Sequence, residues 1–427
     1  MMADQYMDLL KREMLPAFGC TEPIALAYAA AKAKEVLGSE PTEILVRCSG
    51  NMIKNARSVV VPNSGGLIGI EISTLLGAIA GNPKKELEVL ESVTPQDVEK
   101  AKKAWEAGVC QVEHDPEIPG LFIDTRMKDQ EGRSVRVVIH HEHTNITRIE
   151  KDGEILLDID DKEREEQKIN FSFHEIYEYA KSVDYSPLQD ILDKEIELNT
   201  AIAKEGLKND WGAGVGRTFF DTGNVENQEI AFAAAGSDAR MSGCEMPVVI
   251  NSGSGNQGLT VSLPIIRRAK NIDAPREDLD RALIFANLLA EYQKSCIGRL
   301  SAYCGAVSAA ASAAAGIAFL EGASEKIVAE TTENALAVTS GMVCDGAKAS
   351  CAAKIGASLS SAYRAYDQAK RGKSFHPGDG LVGVNVDDTI RAYGKMANQG
   401  MHATDEVILD EMMRINQEDL PAARKER

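Results

Sequence analysis

A chain of 427 residues, 44% hydrophobic and 26% charged, has the length for two or three domains and the composition of a soluble globular protein. Its net charge of −18 excludes nucleic acid as a partner, because phosphate binding needs clustered Lys and Arg. Aromatic residues make up only 5%, beside plentiful Ala and Gly, which favours closely packed helices over a β-sandwich.

Residues 2–15 predict a short helix ended by Pro16. They carry charges throughout and hold no apolar signal-peptide core, so the protein is expected in the cytoplasm. Thr21-Glu22-Pro23 then supplies an N-cap, an acidic first turn and an early proline, predicting a helix that runs to Leu37. Glu43–Cys48 reads as a strand, 65–81 as a buried helix behind a turn, and 95–107 as an exposed amphipathic helix. From Val109 to Leu157 the β-branched residues alternate, with Asp152-Gly153 as a hairpin turn.

Residues 158–170 are charge-rich and poor in apolar side chains, the best linker candidate. They divide the chain into an α+β domain over 1–165 and a mostly α-helical domain over 166–427. In the second, helical patterns occupy 173–183, 188–209, 277–297, 301–320, 324–340, 346–370 and 387–416, interrupted by glycine-rich stretches at 211–216, 251–258 and 372–383. The run Ser301–Leu320 has no charge and the length to span a bilayer. Its Ala, Ser and Gly contribute little transfer energy, so it predicts a buried helix and no membrane partner.

In a reducing cytoplasm the eight cysteines are ligands, catalytic thiols or inert core residues rather than disulfides. Cys304 lies near the start of the Ala-rich run, and Cys344 and Cys351 lie in GMVCDGAKASCAAK, a turn entering a helix. Soft thiolates select iron–sulfur clusters or zinc. Spacing alone nevertheless favours three packed thiols, since buried cysteine is common and no C-x-x-C is present. Cys20 precedes the Thr21 helix start, where a thiol is expected to be acidified and able to act as a base. A small residue filling a tight turn fits Cys20 equally well.

The polar loop NSGSGNQG, residues 251–258, offers Ser252, Ser254 and Asn256 for an anion, and Thr21 shares the helix N-terminus that could hold a carboxylate. Arg240 in SDARM is a candidate carboxylate partner or a structural ion pair. HHEHTNI groups His140, His141 and His143, but no third ligand for zinc is placed by the sequence, and Asn145 or Thr144 is the better candidate, as a substrate contact. Lys54 is a surface lysine by default and a Schiff-base candidate otherwise.

Taken in order, FGCTEPIALAYAAAKA, NMIKNARSVVVP, HTNI, SDARM, NSGSGNQG, RLSAYCGAVSAAASAAAG and GMVCDGAKASCAAK resemble the L-cysteine desulfidases, relatives of the catalytic α-domain of iron–sulfur L-serine dehydratases. The resemblance runs along nearly the whole chain. It implies a [4Fe–4S] cluster on Cys304, Cys344 and Cys351 and a proton-abstracting role for Cys20, leaving Cys48, Cys110, Cys244 and Cys296 structural. The terminal PAARKER holds no cysteine to cap the cluster, which implies one open iron and a lyase rather than an electron carrier. The expected reaction is α,β-elimination from a small amino acid, L-cysteine before L-serine, by a protein that a homodimer would also accommodate. A pyridoxal phosphate enzyme using Lys54 and a non-catalytic cluster-bearing sensor or sulfur carrier are the rivals.

Overall fold

The structure is a computed structural model that describes residues 2–118, 120–159 and 169–418. Most of the expected linker, the 165/166 boundary and the terminal PAARKER lie outside those residues. The fold is α+β, as the residue pattern predicts.

The first part opens with α1 (Met2–Glu13), the short strand β1 (Pro16–Phe18), α2 (Thr21–Leu37) and β2 (Pro41–Ser49). Two helices follow, α3 (Gly50–Ala56) and α4 (Ile70–Ala80), then α5 (Pro95–Glu106). Strands β3 (Cys110–Asp115), β4 (Phe122–Asp129), β5 (Ser134–His140), β6 (Ile146–Lys151) and β7 (Glu154–Asp158) complete a sheet ordered β3-β2-β4-β5-β6-β7. Only β2 and β3 are parallel; the rest is an antiparallel meander closed by the Asp152-Gly153 hairpin. Period-2 alternation explains it. Val135, Val137 and Ile139 of β5 are buried with the Ala-rich α2, while Arg136 and its neighbours form ion pairs on the other face.

The second part is helical: α6 (Phe173–Ser182), α7 (Gln189–Lys208), α8 (Val215–Phe220), α9 (Val225–Met241), β8 (Pro247–Val249), α10 (Gly255–Asn271), α11 (Arg276–Ile297), α12 (Gly305–Leu320), α13 (Glu325–Thr339), α14 (Ser350–Lys370), α15 (Val386–Lys395) and α16 (His402–Glu418). Helices α9 and α10 are not announced by the periodicity. Helix α9 is buried on nearly every side, so no polar stripe marks a solvent face, while α10 begins inside the glycine-rich stretch and carries Pro264 in its middle. Residues 301–304 also depart from the expected single helix over 301–320. They pair instead with 342–344, through the Tyr303–Val343 bridge, and the helix begins at Gly305. Likewise α14 starts at Ser350 rather than 346, and a π-helical turn at Met396–Gly400 splits the pattern over 387–416.

The two parts share one continuous hydrophobic core running from Tyr6 to Leu409. Strand β1 pairs antiparallel with β8, stitching the first part to the second. No described helix is long and apolar enough to cross a membrane.

Candidate active site

Four helices aim their N-termini at one cavity of about 570 Å³, its mouth included. Its walls come from the first residues of α2 (Cys20, Thr21, Glu22), α10 (Ser254, Asn256, Gln257), α12 (Cys304, Gly305, Ala306) and α14 (Cys351, Ile355). The 344–347 turn, Asn55 and Arg240 close the remainder. Cys20 and Cys304 are themselves the N-caps of α2 and α12. Thr21, expected at the cap, is the first residue inside the helix. Of the four helices only α10 has a side-chain cap, Ser254 accepting from the Gln257 N–H. The other three leave backbone N–H groups and positive dipole ends at the cavity, an environment suited to an anion.

Backbone pairing explains how distant cysteines meet. The Cys304 N–H donates to the Met342 carbonyl at 3.1 Å and the Cys344 N–H to that of Ala302 at 2.6 Å. Cys351 follows on the first turn of α14, its thiol donating to the Gly346 carbonyl at 3.7 Å. Burial and the neighbouring Cys344 push the Cys304 thiol up to about 12, and burial raises Cys351 as well. Thiols so placed stay neutral unless a cation replaces their protons. Among the described residues no three His, Cys, Asp or Glu side chains are grouped closely enough to hold a single metal ion. A four-iron cluster takes each thiolate on a different iron, so its ligands stand farther apart than those of one ion. The three thiols that line the cavity form an all-sulfur donor set, which fits such a cluster.

Cys20 is buried and packs near Cys351, and its thiol donates to Glu22 Oε2 at 3.4 Å. The expectation of an acidified Cys20 is corrected. Burial first, then the Glu22 carboxylate, hold this thiol well above its ordinary range despite Arg240 nearby. Glu22 was legible only as an acidic first-turn residue, yet it is the buried carboxylate of the site. Burial pushes Glu22 up, but His143, the backbone and the Cys20 thiol outweigh it and hold the carboxyl below its ordinary value. His143 is itself buried, with Nε2 3.9 Å from Glu22 Oε1.

Arg240 donates to the Gly19 carbonyl at 2.7 Å and to Asn256 Oδ1 at 3.2 Å, while its buried Nε has no hydrogen-bond partner. Thr21 Oγ1 donates to the Gly253 carbonyl at 2.8 Å, fixing the 251–254 turn against α2. Ser252 faces the other way. Its N–H donates to Glu291 and its hydroxyl to Asn251, and it does not line the cavity. Nor does Asn145, whose amide donates to the His140 carbonyl and shapes the β5–β6 turn. Lys54 is no surface lysine. It is buried, paired with Asp405 and bonded to two carbonyls, and it does not line the cavity.

Residues 84–410 match the family model of the serine dehydratase alpha chain. The chain is 48% identical to a UPF0597 protein of Lachnoclostridium phytofermentans, over 96% of this chain and 100% of that protein. A UPF0597 protein of Finegoldia magna is 43% identical, over 96% and 99% of the two chains, and one of Desulfitobacterium hafniense is 44% identical, over 96% of each. The chain belongs to the serine dehydratase alpha-chain family.

Proposed function

We propose that the protein is an iron–sulfur lyase that removes a β-substituent from a small L-amino acid, with L-cysteine as substrate. The observation that carries this reading is the cavity itself, lined by three thiols together with a carboxylate-bonded thiol and a buried arginine. In this reading Cys304, Cys344 and Cys351 hold a [4Fe–4S] cluster. Bound there, the cluster supplies a Lewis-acidic iron for the departing β-thiol or β-hydroxyl.

The remaining steps belong to the chain's own groups. The free Arg240 Nε and the uncapped N-termini of α2 and α12 take the substrate carboxylate and spread the charge that develops next to Cα. Cys20 is the base in its thiolate form: its proton leaves to solvent first, against the opposition of burial and Glu22, and the thiolate then removes the proton from Cα. His143, against the far oxygen of Glu22, keeps that carboxylate ionised and in place beside the Cys20 sulfur. Loss of the β-substituent leaves aminoacrylate, which tautomerises and hydrolyses to pyruvate and ammonia. Sulfide is the other product from cysteine, and water is the product from serine.

The family name favours L-serine, while the FGCTEP segment, where a serine-rich substrate motif would be expected, favours L-cysteine. One anaerobic experiment tests both. Purified protein is assayed for iron, acid-labile sulfide and pyruvate release from L-cysteine and L-serine, beside Cys304→Ser, Cys344→Ser and Cys351→Ser. The expected result is a cluster-equivalent of iron and sulfide, faster turnover of cysteine, and loss of iron in each variant. Full turnover by iron-free protein would end the proposal.

A further inference from the structure

Helix α3 carries a buried cation that the proposed chemistry does not use. The Lys54 side chain is 1% exposed, and its ammonium has three acceptors for three protons. These are the Cys344 carbonyl at 3.2 Å, the Ser301 carbonyl at 3.5 Å and the Asp405 carboxylate. Cys344 and Ser301 lie on the two paired segments that carry Cys344 and Cys304. Asp405 comes from α16 near the end of the described chain. The turn after Cys344 is moulded round the same residue. Gly346 has φ +94°, and a Cβ there would fall 2.3 Å from the Lys54 carbonyl oxygen.

A buried lysine is costly unless each proton is satisfied, so its place is determined by all three partners together. Loss of any one partner loosens the other two. We infer that Lys54 is a positioning residue that locks the two cysteine-bearing segments in register for the cluster, and that α16, through Asp405, is the strap that holds it there. The inference rests on the proposed cluster site and adds to it a dependence on the C-terminal helix.

The test uses full-length protein purified anaerobically, with iron content and the rate of cluster bleaching in air as readouts. Lys54→Met is expected to bleach about 10-fold faster or more, the scale of losing a group that orients metal ligands. Asp405→Asn should change the rate in the same direction by less, and Lys54→Arg should recover part of the loss. Thermal unfolding of the cluster-free proteins shows whether each variant is folded at the assay temperature, so a merely destabilised chain is recognised. If Lys54→Met does not fold, Asp405→Asn decides. Wild-type iron content and bleaching in the folded variants overturns the inference while leaving the cluster in place. Iron-free wild type overturns the cluster reading, and the inference with it.

Discussion

The sheet of the first part and the helical assembly of the second bury their polar groups in opposite ways. The sheet has a wet face, where Arg126 and Arg136 both reach Asp124 and where Arg136 and Arg148 share Glu150. Helices α9 to α12 have almost no wet face, so each polar group among them needs a partner inside. A chain of such partners runs from the cavity inwards. Gln257 donates to Asn251, Asn251 to Asn287, and Asn287 to the fully buried Glu195. The difference shows where chemistry can be housed. Buried helices leave their unpaired N-termini at one internal point, whereas the sheet contributes by presenting α2 and the turn that holds His143.

The comparison is broken most severely by touching the cavity. Cys20→Ala should lower pyruvate release by about 10²–10⁴-fold, the range for a general base, with iron content unchanged. Retained turnover would remove Cys20 from the reaction. Packing of the helical part comes next. Gly206 of α7 lies against α9, where a Cβ would sit 2.0 Å from the Ala235 carbonyl oxygen. Gly206→Ala should therefore cost about 1–3 kcal/mol in denaturant unfolding of the cluster-free protein, and a neutral result would show the helices free to slide apart.

The buried polar chain predicts a pH effect. Burial, with a smaller contribution from Asp280, raises the Glu195 carboxyl to about 8 in the folded chain, against about 4.3 when unfolded. The folded state thus binds this proton more tightly. The associated stability is full below about pH 4 and is lost as pH rises towards about 8. Glu195→Gln, which keeps an acceptor for Asn287 and does not titrate, should flatten the decline in Tm across that window; identical slopes would refute it. The smallest effect belongs to the wet face of the sheet. Arg148→Ala removes only the part-exposed pairs with Glu150 and Asp158 and should cost below about 1 kcal/mol, and a larger loss would mean that this face is not solvated.

Much of the fold was legible because its signals are local. Alternation marked β4 to β7, Asp152-Gly153 marked the hairpin, and Pro16 and Pro23 bracketed the first helices. Where burial is complete the signal vanishes, as in α9, and a glycine-rich start with Pro264 inside conceals α10. Of the residues singled out, Cys20, Thr21, Arg240, Ser254, Asn256 and the three cysteines reach the cavity, while Ser252 and Asn145 spend their hydrogen bonds on turns. Glu22, Asn55 and the buried state of Lys54 were missed. A lone Glu, Asn or Lys carries no spacing signal, and its role depends on who faces it.

Sequence alone determined the residue types: which thiols exist, which stretches are helical by composition, and the order of motifs that marks the family. Tertiary structure decided what those residues meet. The Ala302–Cys344 and Met342–Cys304 backbone bonds, the Thr21–Gly253 bond and the Lys54–Asp405 pair all join segments far apart in the chain. Such bonds form only once the intervening helices have packed, because closing those loops costs entropy that local propensity cannot repay. The acidity of Cys20 follows the same logic. A helix N-terminus alone would lower it, but burial beside Glu22 raises it, and that neighbourhood exists only in the folded chain.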